Sequence, residues 1–121
     1  MDKVQIIDFQ GFKIIYLDFS GLKSEDAIIS VIDQSKPLIR DCAPNSLFFL
    51  SNIKDMHFNN RIREIFTAFT SGNRNFVKAS AIIGASGLQN IMINGINKIT
   101  GRKLKSFSDE SSAKNWLVSQ N

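Results

Sequence analysis

A chain of 121 residues has room for about one domain, and 43% hydrophobic with 21% charged residues is ordinary globular composition, which excludes disorder. The longest apolar runs, such as Leu47-Phe48-Phe49-Leu50, fall far short of the ~18 residues of a membrane-spanning helix. One cysteine, Cys42, leaves no internal disulfide or zinc cluster, and one histidine, His57, removes most metal and triad chemistry. The net charge of +4 is unevenly spread: residues 1–60 hold six Lys/Arg against eight Asp/Glu, and residues 61–121 hold nine against three. Asp2 and Lys3 lead straight into a strand-like run with no basic-then-apolar leader, so a cytoplasmic, reducing location is expected.

Val4 to Phe9 and Phe12 to Phe19 are rich in β-branched and aromatic residues and are separated by Gln10-Gly11, which predicts a β-hairpin. Both faces of the second run are apolar, so it should be covered on two sides. Ser24 is the expected N-cap of a first helix whose Ile28, Val31, Ile32, Ser35, Leu38 and Ile39 share one face. Pro37 predicts a kink or an early stop there. Ser46 to Asn52 reads as the most buried strand, and Asn59 to Asn73 as an amphipathic helix with Arg61, Arg63 and Glu64 outward, closed by Ser71-Gly72-Asn73. Val77 to Ile83 is a further strand. Gly84-Ala85-Ser86-Gly87 turns into a third helix, where Leu88, Ile91, Met92, Gly95, Ile96 and Ile99 fit a helical apolar face ended by Gly101. Leu104 to Phe107 is a short edge strand, and a last helix from about Asp109 buries Ala113, Trp116 and Leu117. The order is ββαβαβαβα, an α/β domain over residues 1–121: an N-terminal hairpin feeding a mostly parallel sheet with about four helices packed on it.

Several segments carry a family likeness: Pro44-Asn45-Ser46-Leu47, Val77-Lys78-Ala79-Ser80-Ala81-Ile82-Ile83-Gly84, Ser86-Gly87-Leu88-Gln89, Thr100-Gly101-Arg102-Lys103 and Ala113-Lys114-Asn115-Trp116-Leu117. With the order of elements they resemble the STAS domain, and more closely the small stand-alone bacterial proteins described as SpoIIAA-like or STAS/CRAL-TRIO-like. The resemblance implies the SpoIIAA-like fold and a non-enzymatic role in docking to protein partners, sometimes gated by phosphorylation of a serine. That serine opens the helix after the central strand, in an Asp-Ser-Ser-Gly-like motif. Here the matching stretch is Met56-His57-Phe58-Asn59-Asn60-Arg61, with no serine, threonine or glycine, so the phosphorylation switch does not carry over.

Two surfaces stand out as candidates. Asn59, Asn60, Arg61 and Arg63, at the start of the second helix, are the expected partner-binding residues. Gly84, Ser86 and Gly87 form a strand-to-helix turn whose free N–H groups could hold an anion, against the plainer reading of Ser86 as an N-cap. Gly95 reads chiefly as a small residue permitting close helix–sheet packing, with space for a ligand as the alternative. The ten phenylalanines either fill the core or line an apolar cavity; periodicity does not separate the two. His57 near Asp55, and Cys42 after Arg40-Asp41, read as ordinary loop residues. The basic group Lys98, Arg102, Lys103 and Lys105 would suit nucleic acid, an anionic membrane or an acidic partner, but nucleic-acid motifs are missing and a solvated surface is the simpler reading. The expected function is a binding or regulatory module with no catalytic residue, metal or cofactor. Its partner would be a protein or a small ligand, with a homodimer as a further option; a carrier of an apolar or anionic small molecule is the alternative.

Overall fold

The computed structural model describes residues 3–40 and 42–121; Asp2 and Asp41 lie outside them. The elements are β1 (Val4–Phe9), β2 (Phe12–Asp18), α1 (Glu25–Arg40), β3 (Leu47–Asn52), α2 (Asn60–Asn73), β4 (Val77–Ile83), α3 (Gly87–Thr100), β5 (Lys105–Phe107) and α4 (Glu110–Ser119). The hairpin forms as expected. Gln10 and Gly11 both take positive φ, 52° and 84°, the two-residue turn whose twist matches the flanking strands, and Phe9 pairs with Phe12.

The sheet runs β1-β2-β3-β4-β5, with β1 antiparallel and the other strands parallel. Each crossover from β2 onward steps one strand in the same direction. Right-handed crossovers that all advance one way place their helices on one face of the sheet. The packing follows that rule: Ile28, Val31 and Ile32 of α1, Ile62 of α2, and Met92, Ile93 and Ile96 of α3 share one core with Ile15, Leu17, Phe49 and Ile82. The opposite face, with Ile14, Phe48, Leu50, Ala79, Ala81 and Ile83, is covered by Ala113 and Leu117 of α4. Ala79 and Ala81 are small because α4 lies directly over β4.

Ten residues of α4 do not span this second face, and two lysines extend the cover. Lys105 lies 5.6 Å over the rings of both Phe107 and Trp116, and Lys114 lies 5.7 Å over Phe9 while pairing with Glu110 at 2.7 Å. Trp116 is therefore half-buried against Phe107 rather than enclosed.

Three local expectations change. α1 continues past Pro37 to Arg40, so there is no early stop: Pro37 and Asp33, whose carbonyl loses its donor, are both exposed, while Ser35 and Ile39 keep the helix anchored on either side. Gly72 lies inside α2, whose cap is Arg74 in a right-handed conformation. Gly95 does not permit close packing; a Cβ built there meets nothing within 4 Å. The glycine that does is Gly84, at φ +80°, where a Cβ would fall 2.7 Å from Lys54 Cβ and 2.8 Å from its backbone nitrogen.

These contrasts are measurable by chemical denaturation. Gly84→Ala should destabilise the fold by about 2 kcal/mol or more, whereas Gly95→Ala should stabilise it by about 0.5–1 kcal/mol through helix propensity alone. The N-cap of α4 supplies a pH-dependent test. Hydrogen bonds from the backbone and hydroxyl of Ser112 hold the Asp109 carboxyl below its ordinary value of 3.8. A depressed folded-state pKa means stability present above that ordinary value and lost as pH falls through the folded one. Asp109→Ala should therefore be less stable than the parent at neutral pH, with the difference closing as pH is taken well below 3.8.

Candidate functional site

The start of α2 is built by Asn59. Its backbone is extended, its side-chain oxygen accepts from the Ile62 N–H at 2.8 Å, and its amide nitrogen lies 3.3 Å from His57 Nε2. Asn60, Arg61 and Arg63 are exposed, as expected. Arg61 and Arg63 do not share one face, however. Two residues apart on a helix they diverge by about 200°, so Arg61 lines a groove on the α1 side and Arg63 a groove on the α3 side.

The α1 groove lies between two helices that make few contacts with each other. It has a volume of about 610 Å³, an apolar floor including Ile32, Ile65, Phe69 and Phe76, and a charged rim of Asp33, Lys36, Arg40, Arg61 and Glu64. Lys36 pairs with Asp33 at 3.3 Å, and Arg61 with Glu64 at 3.7 Å. The groove between α2 and α3 is more open, about 450 Å³, lined by Arg63, Thr67, Ser71 and Ile99 among others. Beneath the helices, the space among Phe49, Phe66, Phe69 and Ile93 is only about 50 Å³, enough for a water or two. Phe19 packs edge-on against Phe66, and Phe49 lies tilted against Phe69. The interior is a filled core.

At the other candidate, Gly84, Ser86 and Gly87, most polar groups already have partners. Ser86 Oγ accepts from the Gln89 N–H at 3.2 Å, and Gln89 Oε1 accepts from the Ser86 N–H at 2.9 Å, a reciprocal capping box. The buried Gln89 also donates through Nε2 to Met56 O at 3.0 Å, tying α3 to the loop before α2. Gly84 serves the close approach to Lys54, and none of the three residues lines either of the grooves described above.

The outward face of α3 is where the apolar periodicity leads elsewhere than expected. The residues turned to the core are Gln89, Met92, Ile93, Ile96 and Thr100. Leu88, Ile91 and Ile99 are 61%, 68% and 71% exposed. With Gly95 between them they form an uncovered apolar stripe.

The C-terminal basic residues do not form a single surface. Arg102 turns inward: one guanidinium nitrogen donates to Thr70 O at 3.0 Å and Asn73 Oδ1 at 2.9 Å, and the other to Ser80 Oγ at 2.9 Å. Burial first, and then the charge of Arg74, lower its pKa from the usual arginine value. Lys105 covers aromatic rings, and Lys78 reaches Asn121 Oδ1 at 3.4 Å. His57 is exposed, and Cys42 donates to Leu38 O at 3.0 Å, a helix-end contact.

No family model and no curated protein matches the chain. Among solved structures, it is similar to an uncharacterised protein of the DUF3478 family with a SpoIIAA-like fold from Shewanella loihica PV-4. The TM-score is 0.65 at 22% identity, over 94% of this chain and 91% of that one. The chain has the SpoIIAA-like (STAS) fold. Within it, the helix start to which the family resemblance assigns a phosphorylatable serine is occupied by Asn59 and Asn60, with Asn59 engaged as the cap.

Sequence reasoning placed Arg102 in a solvated basic group and missed its inward turn. The available signal was faint: Thr70 and Asn73 at the end of α2 and Ser80 inside the apolar run of β4, three small polar residues with no local partner of their own in the sequence pattern. Arg102→Met should destabilise the SpoIIAA-like fold by about 1.5–3 kcal/mol, because charge-assisted hydrogen bonds are lost and their acceptors stay buried. Arg102→Lys should recover less than half of that, since one ammonium cannot reproduce the fork. Urea midpoints of the two variants check both statements.

Proposed function

We propose that this SpoIIAA-like chain is a non-catalytic protein-interaction module that docks its partner through the outer surface of α2 and α3. One observation carries the reading: three large aliphatic side chains of α3 stand uncovered beside the exposed Arg63 flank of α2. Isolated exposed aliphatics are ordinary, but three aligned on one helix with a groove alongside fit an interaction surface. The fold resemblance supports the same class of role without the serine switch. Arg63→Glu should fold like the parent and lose the partner that the tagged parent chain retains from its host's lysate, while Arg61→Glu, on the α1 side, should retain it. Unchanged recovery with Arg63→Glu would remove the arginine-bearing surface from the docking site.

A second reading, a carrier of a small apolar ligand, is favoured by the α1–α2 groove. Its ~610 Å³ lies within the range of small-molecule sites, and its rim carries both signs of charge above an apolar floor. The ligand would then sit between α1 and α2, not at the turn of Gly84, Ser86 and Gly87 that the sequence offered. Native mass spectrometry of freshly purified protein should show a mass above a whole number of chains, and Gly72→Leu, which adds bulk to the groove lining, should remove it. A clean monomer or dimer mass in the parent protein would end this reading.

A further inference from the structure

Building on the docking surface proposed above, we infer that the occupant of the α3 face is an amphipathic helix of a partner protein with acidic residues flanking its apolar stripe. At 100° per residue, Leu88, Ile91, Gly95 and Ile99 fall within an arc of about 80° and span about 17 Å along α3. That is the i, i+3, i+7, i+11 ridge against which another helix packs. Gly95 sits at its middle with open space where a side chain would be, so a knob from an opposing helix can enter between Ile91 and Ile99.

Charge decides the chemistry of the occupant. One border of the stripe carries Asn94 and Lys98, and the other, across the α2–α3 groove, carries Arg63. Neither Lys98 nor Arg63 pairs with a carboxylate among the described residues. Glu64, which lines the same groove, has its charge engaged by Arg61 at 3.7 Å. From Ile65 to Ser108 the chain holds six Lys/Arg and no Asp or Glu. An acidic partner gains attraction along both borders. A second copy of this chain would bring the same unpaired cations against themselves, which opposes a dimer through this face. An anionic membrane shares the charge preference, but the stripe lacks the aromatic anchors of an interfacial helix and is bordered by asparagine.

The test is selection from a displayed library of helical peptides with leucine fixed at i, i+3, i+7 and i+11 and flanking positions varied among Glu, Gln and Lys. The parent protein should enrich Glu-flanked sequences and deplete Lys-flanked ones. Binding of the enriched peptides should fall at least tenfold for Leu88→Gln/Ile91→Gln/Ile99→Gln and for Gly95→Trp, which blocks the stripe without removing its apolar groups, and should weaken with added salt. Enrichment that depends on Ile91 but shows no charge preference overturns the acidic partner and leaves the docking surface standing. Enrichment indifferent to both variants, or none at all, overturns this inference together with α3 as a docking surface. Two parallel measurements complete it: flotation with phosphatidylglycerol vesicles, or self-association in sedimentation velocity, either abolished by Gly95→Trp, would assign the stripe to a membrane or a second copy and overturn the inference.

Discussion

The handedness of the crossovers is the constraint on which this molecule depends. Four parallel strands in sequential order, β2-β3-β4-β5, require three crossovers, and a right-handed path for each puts α1, α2 and α3 on the same side. That side is therefore crowded with parallel helices, and the other is left to α4 and to lysine stems lying over aromatic rings. The shapes available for binding follow from this imbalance. Parallel helices spaced over a twisted sheet leave grooves between them, and the last in the row, α3, has an outer surface that no further helix covers.

Arg102 holds the crowded side together from within. The last turn of α2 leaves backbone carbonyls without helical partners, and β4 carries a buried serine facing the helices. One guanidinium serves both, and it comes from the loop that follows α3. A neutral donor would satisfy fewer of these acceptors, and a carboxylate partner is not needed because the surrounding oxygens solvate the charge. The same contacts set the spacing of α2 and α3, and so the width of the groove beside the α3 stripe. Fold stability and the proposed docking surface share this one side chain.

The surface and the interior of α3 were ambiguous in sequence for a definite reason. The helix carries two overlapping apolar rows: Leu88, Ile91 and Ile99 on one side, and Met92, Ile93 and Ile96 on the other. A periodic pattern locates a helix but does not say which row meets the sheet when both are aliphatic. The polar residues settle it. Gln89 is buried because it completes the capping box and reaches Met56 O, and Thr100 is buried because its hydroxyl returns to Ile96 O at 2.7 Å. Both are local solutions to hydrogen bonding that a hydrophobicity pattern ranks as exposed.

The amino-acid sequence alone determined the order and nature of the elements among the described residues, the hairpin at Gln10-Gly11, the caps at Ser24 and Ser86, the helix starts near Asn59 and Asp109, and the left-handed stop at Gly101. Each depends on residues a few positions apart, where backbone sterics and local hydrogen bonds act. The resemblance to SpoIIAA-like proteins likewise rested on this order. Tertiary structure alone decided that the interior is filled, that the roomier hollow lies between α1 and α2, that Arg61 and Arg63 part company, and that Arg102 turns inward. It also decided that Gly84, not Gly95, is the glycine pressed against a neighbour. These features depend on distances between segments remote in sequence, which the path of the crossovers sets and no local pattern encodes.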